Sequence, residues 1–89
     1  MSIEQYQRQV NTLDKEIADL EKKKSTKDIE CANLQTKINS VRRSITMNTS
    51  QSSLNTKIRQ ISSYEREYER KSKDSATLES KIAEKRKRR

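Results

Sequence analysis

Apolar residues recur along the first half of the chain at the spacing of a coiled coil. They occupy two columns that each repeat every seven residues and are offset from one another by three. Lys24 and Lys27 interrupt the columns near their middle. Such a heptad pattern predicts a long helix whose single apolar stripe packs against another helix. The predicted contact residues are Ile3, Val10, Ile17, Cys31, Ile38 and Ile45 in the first column, and Tyr6, Leu13, Leu20, Leu34 and Val41 in the second.

The pattern stops at residues 46–53, where residues that are mostly polar and of low helix propensity replace the charged residues on either side. It resumes out of phase with the first half, as expected if the chain turns here. Asn48 is a candidate left-handed end of the first helix, and Thr49 or Ser50 a candidate N-cap of the second. We predict helix 1 over residues 1–46, a turn over 47–50 and helix 2 over 51–89. The contact residues predicted for helix 2 are Leu54, Ile58, Ile61, Tyr64, Tyr68, Leu78 and Ile82.

Folding the chain back at this turn sets the two apolar stripes against each other. Ile38 then lies opposite Ile61, and the interruption at Lys24 lies opposite Ser75. Because both the apolar positions and the gaps coincide, the pattern predicts an all-α fold, an antiparallel coiled-coil helical hairpin. The same register brings together Glu30 with Lys71, Glu16 with Lys85, and the like-charged Asp28 with Glu69.

Further association of the chain is expected on two grounds. A two-helix hairpin covers each apolar stripe only partly, and Ile3, Tyr6 and Val10 extend past the end of helix 2. The favoured assembly is a dimer of hairpins with four helices in all. An alternative is one continuous helix per chain in an antiparallel dimer, which makes the same contacts between chains and which no Gly or Pro forbids.

Composition excludes an ordinary globular core. Of the 89 residues 28% are hydrophobic and 38% are charged, so the apolar residues can form only a narrow seam. The lone Cys31 permits no internal disulfide and predicts a reduced, cytoplasmic chain. Its place in the seam is typical of a small packed hydrophobe.

The sequence indicates no catalytic or cofactor chemistry. It has no histidine, and it contains no paired-carboxylate, nucleophile–base, metal-ligand or phosphate-loop motif. We therefore expect this segment not to be an enzyme and to bind no cofactor, metal ion or small-molecule ligand. Its predicted partner is a second copy of itself.

Positive charge suggests a second possible function. The formal net charge is +8, and the last five residues, all cationic, account for five of those charges. Such a run could contact nucleic acid or an anionic membrane, whereas cations at a helix C-terminus also complement the helix dipole. The candidate contacts for a polyanion are Lys85, Arg86, Lys87, Arg88 and Arg89.

Residues 37–45 and 48–62 resemble the N-terminal coiled-coil region of bacterial proteins that carry a C-terminal Toll/interleukin-1 receptor (TIR) domain. The resemblance implies that the chain is a fragment whose continuation is an NAD-cleaving TIR domain, and that the coil brings such domains together. No active-site residue of that family matches a position here, so only the oligomerisation role carries over. The most distinctive matching residues are Thr49, Ser50, Ser52, Leu54, Thr56 and Lys57.

Overall fold

A computed structural model describes residues 2–89 as two long helices joined by a short turn. Helix α1 spans Ile3–Ser44 with 42 residues, and helix α2 spans Gln51–Arg88 with 38 residues. They lie side by side along a rod of 73 × 14 × 13 Å, and the described residues contain no strand. The predicted all-α helical hairpin is therefore confirmed. Met1, the first residue of the predicted helix 1, lies outside the described residues.

The start of α1 is fixed by a reciprocal pair of hydrogen bonds. The Ser2 hydroxyl accepts from the Gln5 backbone N–H at 3.1 Å, and the Gln5 side-chain oxygen accepts from the Ser2 N–H at 3.3 Å. This capping box satisfies two groups that would otherwise lack helical partners. The first apolar positions of the seam are thus helical from Ile3 onward.

The turn is longer than predicted, because α1 ends at Ser44 rather than at residue 46. Ile45 is extended, with φ −81° and ψ 119°, and the Thr46 N–H donates to the Thr49 hydroxyl at 2.8 Å. The Thr49 N–H also donates back to the Thr46 carbonyl at 3.1 Å. These bonds replace the helical pattern, so residues 45–50 form the connection.

The prediction that Asn48 is left-handed is wrong, because no described residue has a positive φ. The Ile45 N–H donates to the Arg42 carbonyl, and the Lys57 amine donates to the Ser44 carbonyl at 2.8 Å. A lysine from α2 thus satisfies a terminal carbonyl of α1 and complements the negative end of its dipole. The helix can therefore end in an extended residue.

The second helix starts where a serine can cap it. The Ser50 hydroxyl accepts from the Ser53 N–H at 3.2 Å, and the Leu54 N–H already donates to the Ser50 carbonyl at 2.8 Å. Ser50 is thus the N-cap, one of the two residues predicted for that role. At the far end the helix stops at Arg88, and Arg89 is its C-cap rather than a helical residue.

Candidate interaction surfaces

The inner surface of the hairpin is a seam with four well-buried apolar side chains. Ile82 is 1% exposed and Ile38 is 3% exposed, while Leu34 and Ile17 are 4% and 8% exposed. Three of these four lie on α1 and one lies on α2. The seam is therefore best packed in two separate places, near Leu34 and Ile38 and near Ile17 and Ile82.

Most of the other predicted contact residues border this seam without being buried. The half-buried ones are Val10, Leu13, Leu20, Cys31, Val41, Ile45, Leu54, Ile61, Tyr64 and Leu78. Four predicted contact residues are exposed in the hairpin, namely Ile3, Tyr6, Ile58 and Tyr68. The structure thus brings fourteen of the eighteen predicted residues to the seam and leaves four open to solvent.

Lysines that sequence reasoning did not place in the seam complete it on α2. Counting by sevens from Tyr64 gives a column of Lys57, Tyr64, Lys71, Leu78 and Lys85, and every one of these residues is half-buried. Ile58, which the prediction placed at the seam, is instead 50% exposed beside Lys57. A prediction based on apolar residues chooses Ile58 over Lys57, because lysine is counted as a polar residue. The four-carbon stem of a lysine nevertheless packs readily against apolar neighbours. Strict heptad counting would have found the lysines.

The three seam lysines repeat every fourteen residues, and so do the groups they bind on α1. Lys57 donates to the Ser44 carbonyl, Lys71 pairs with the Glu30 carboxylate, and Lys85 pairs with the Glu16 carboxylate at 2.6 Å. The last two are ion pairs that the folded-back register predicted. Each lysine lays its stem along the seam and carries its charge to the edge, so the contacts define the antiparallel register.

A polar layer crosses the seam where the apolar columns are interrupted. Ser75 is only 7% exposed, and its hydroxyl donates to the Asp28 carboxylate at 2.6 Å. The same carboxylate pairs with the Lys24 amine at 2.8 Å. Asp28, expected near Glu69, is therefore held by Lys24 and Ser75. A polar layer of this kind favours one register over its alternatives.

These contacts change the ionisation of the groups in and near the polar layer. Lys24 and Ser75 hydrogen-bond the charged Asp28 side chain and lower its pKa below 3.8, while the bond to Asp28 raises the pKa of Lys24 above 10.5. The hydrogen bond from Lys71 lowers the pKa of Glu30 below 4.5. In each case the charged form is favoured by a hydrogen bond to an opposite or polar partner.

The basic C-terminal run is largely paired within the hairpin. Besides Lys85 with Glu16, Arg86 pairs with Glu21 at 2.6 Å, Arg88 with Glu84 at 2.8 Å, and Arg89 with Asp14 at 2.5 Å. Lys87 is the member of the run without an ion pair to a described residue. The ion pairs of Lys85, Arg86 and Arg89 therefore connect α2 to the N-terminal half of α1, whereas the Arg88–Glu84 pair lies within α2.

The remaining chemistry of the surface is sparse. Cys31 is half-buried, and its thiol lies 3.9 Å from the Tyr68 carbonyl oxygen. Within residues 2–89 no three His, Cys, Asp or Glu side chains form a group that could hold a metal ion. An open groove of about 380 Å³ lies between the two helices, and its lining consists of Lys23, Thr26, Lys27, Glu30, Asp74, Thr77, Leu78 and Lys81.

Neither helix, over the described residues, has a stretch long and apolar enough to cross a lipid bilayer. Comparison with protein-family models, with curated proteins and with solved structures finds no match to this chain. The resemblance to TIR-domain proteins therefore stays a prediction, and the contacts described above are the basis for proposing a function.

Proposed function

We propose that this chain is a self-association element, an antiparallel coiled-coil hairpin that packs against a second copy of itself. The observation that carries the proposal is the small core: helices of 42 and 38 residues bury only four apolar side chains between them. Domains with so little buried apolar surface are marginal, since burial has to offset the entropy of ordering the whole chain. A second hairpin would supply the missing burial.

One side of the hairpin offers apolar surface for this contact. Tyr68 is 37% exposed, and its carbonyl oxygen lies 3.9 Å from the thiol of the half-buried Cys31. Ile58, also on α2, is 50% exposed. We call Cys31, Ile58 and Tyr68 the tyrosine face. The small side chains of Ala32 and Ser72 border this face, so another helix can approach closely.

The proposal predicts that the tyrosine face controls the mass of the particle in solution. Light scattering after size exclusion, at about 100 µM chain, should give a dimer for the parent, as expected for a dissociation constant in the micromolar range or below. The double variant Ile58→Ser, Tyr68→Ser should shift the particle to the monomer mass, because it removes apolar area that only a partner covers.

Ile29→Ser is the matched control, because Ile29 is 59% exposed but lies on the outer side of α1, away from the seam. This variant should keep the dimer mass. A monomeric parent, or a double variant that dimerises as well as the control, would refute the assignment of this face.

The wider role follows from association. Joining two hairpins would raise the local concentration of any domain attached to them, typically into the mM range for short connections. By the resemblance, that domain is an NAD-cleaving TIR domain of a bacterial protein, and the hairpin acts as its scaffold. We also place the chain in the cytoplasm, on the basis of its lone, half-buried cysteine.

A further inference from the structure

The hairpin carries a row of cations on each of its two outer sides. We define the outer ridges as every seventh residue from Arg8 on α1 and from Arg59 on α2, on the side of each helix that faces away from the partner helix. All of these positions are exposed. The ridge of α1 consists of Arg8, Lys15, Lys22, Ile29, Thr36 and Arg43, and the ridge of α2 consists of Arg59, Arg66, Lys73, Ser80 and Lys87.

The ridges carry positive charge alone, whereas the negative charges all lie elsewhere on the chain. Each ridge has four cations, and neither has a carboxylate, although the chain contains 13 Asp and Glu residues. All 13 lie elsewhere, many of them beside the seam, where they pair with other cations. A merely solvated coiled-coil face usually mixes both signs, which favours solubility and pairing along the helix.

The ridge cations are also almost free of ion pairs. Of the eight, Lys73 alone has an ion pair with a described residue, to Glu69 at 3.8 Å. By contrast, Arg86, Arg88 and Arg89 at the C-terminal end all have carboxylate partners within 2.8 Å. Most of the exposed cations that have no ion pair with a described residue therefore lie on the ridges, and Lys87 is the member of the terminal run among them.

We propose that the outer ridges bind the phosphate backbone of double-stranded nucleic acid. Successive ridge positions are about 10.5 Å apart along a helix. Each ridge is thus a line of four cations on a 73 Å rod, interrupted by Ile29 and Thr36 on α1 and by Ser80 on α2. A linear polyanion can contact such a line along its length and release counterions at each contact. The ridges have no aromatic side chain to stack on single-stranded bases, so a duplex fits better than a single strand.

A membrane fits these surfaces less well. A helix that lies on a bilayer inserts an apolar face beside its cations, and Ile29 is the one apolar residue among the eleven ridge positions. Because the two ridges point in opposite directions, a flat surface could contact only one of them. Two duplexes could contact both, so the same geometry predicts that one hairpin bridges two duplexes. Contacts are to phosphates alone, and binding is independent of base sequence.

The test measures binding of the full chain to a fluorescent DNA duplex of about 21 base pairs, as long as the rod at 3.4 Å per base pair. Fluorescence anisotropy is recorded over a series of salt concentrations. The ridge variant Lys15→Gln, Lys22→Gln, Arg59→Gln, Arg66→Gln removes two cations from each ridge. Its slope of log affinity against log salt should become shallower by about 1.8, with a loss of about 100-fold at 50 mM salt.

The control variant Lys81→Gln, Arg86→Gln, Arg88→Gln, Arg89→Gln lowers the net charge by the same four units at exposed positions outside the ridges. It should change affinity less than threefold, and circular dichroism should show that both variants stay helical. A second fluorescent duplex should be retained on beads that carry the first duplex only when the parent chain is present.

Three results would overturn the proposal. The first is that the parent does not bind the duplex at 50 mM salt, and the second is that both variants lose affinity equally. The third is a loss of affinity in the control variant alone, which would assign binding to the terminal run. Tighter, ridge-dependent binding to vesicles of equal parts phosphatidylcholine and phosphatidylserine than to the duplex would assign the ridges to a membrane instead.

Discussion

At the residue scale, one kind of side chain has opposite roles depending on where the helix places it. Ile82 is 1% exposed and packs in the seam, while Ile29 is 59% exposed on an outer ridge. Lysine shows the same contrast: Lys71 is half-buried against Glu30, and Lys15 is exposed. Position relative to the seven-residue repeat, more than residue type, decides which side chains stabilise the hairpin.

Ionisation at the seam edge predicts how stability depends on pH. Because Lys71 lowers the pKa of Glu30 in the folded chain, the unfolded chain takes up a proton at higher pH than the folded chain does. The stabilisation from the Glu30–Lys71 contact is complete at pH values above 4.5, the ordinary pKa of a glutamate. It is lost as the pH falls through the lower pKa that Glu30 has in the folded chain. The pKa of Asp28 is lowered from 3.8, so its contacts also stabilise the fold less as the pH falls.

We therefore predict that the melting temperature falls as the pH is lowered from about 5 to about 2, and that Glu30→Gln makes this fall smaller. Thermal unfolding followed by circular dichroism measures both. Glu67→Gln is the control, since Glu67 forms no ion pair with a described residue. An equal fall in Glu30→Gln and in the parent would show that the Lys71 contact does not stabilise the fold.

At the element scale, each helix end is satisfied by a nearby side chain. Ser2 with Gln5 starts α1, Lys57 binds a carbonyl at its end, and Ser50 starts α2. None of these devices needs glycine or a left-handed residue, and the chain contains no glycine. The turn is therefore defined by capping hydrogen bonds on both sides of residues 45–50.

The cap of α2 can be tested by one substitution. Ser50→Ala should lower the free energy of unfolding by about 1 kcal/mol, because the Ser53 N–H loses its hydrogen-bond partner. Urea unfolding measures the change. Ser52→Ala, inside the helix, should be neutral or slightly stabilising, since alanine has the higher helix propensity. Equal effects of the two substitutions would contradict the role of Ser50 as the cap.

The elements differ in how far the sequence could predict them. Both columns of α1 follow from apolar residues, and the ion pairs of Glu16 and Glu30 follow from folding the chain at its weakest helical segment. The second column of α2 could not be found in this way, because three of its five members are lysines whose stems pack while their charges reach solvent. The end of α1 was misplaced because its carbonyl partner, Lys57, lies thirteen residues away on the other helix.

At the scale of the whole molecule, the hairpin is a thin rod in which the two surfaces we propose as functional are separate. The tyrosine face lies beside the seam, whereas the outer ridges lie on the sides of the rod away from it. A second hairpin on the tyrosine face would leave both ridges exposed. Association and duplex binding are therefore independent proposals, and either could fail without the other.

Both proposals depend on the chain folding back on itself at residues 45–50. A continuous helix over the same sequence would make equivalent seam contacts between two antiparallel chains, but it would separate residues that the hairpin holds together. Ala18 and Ala83 are exposed, and they lie at facing levels of the two helices. In a continuous helix these residues would be about 98 Å apart at 1.5 Å per residue.

Pulsed electron spin resonance on a spin-labelled pair separates these arrangements most directly. The variant Ala18→Cys, Ala83→Cys, Cys31→Ala carries one label at each site and is diluted with an excess of unlabelled chain, so only distances within one chain are measured. The hairpin predicts a single short distance, because packed helix axes lie about 10 Å apart. Absence of that short distance in the diluted sample would contradict the hairpin and favour the continuous helix.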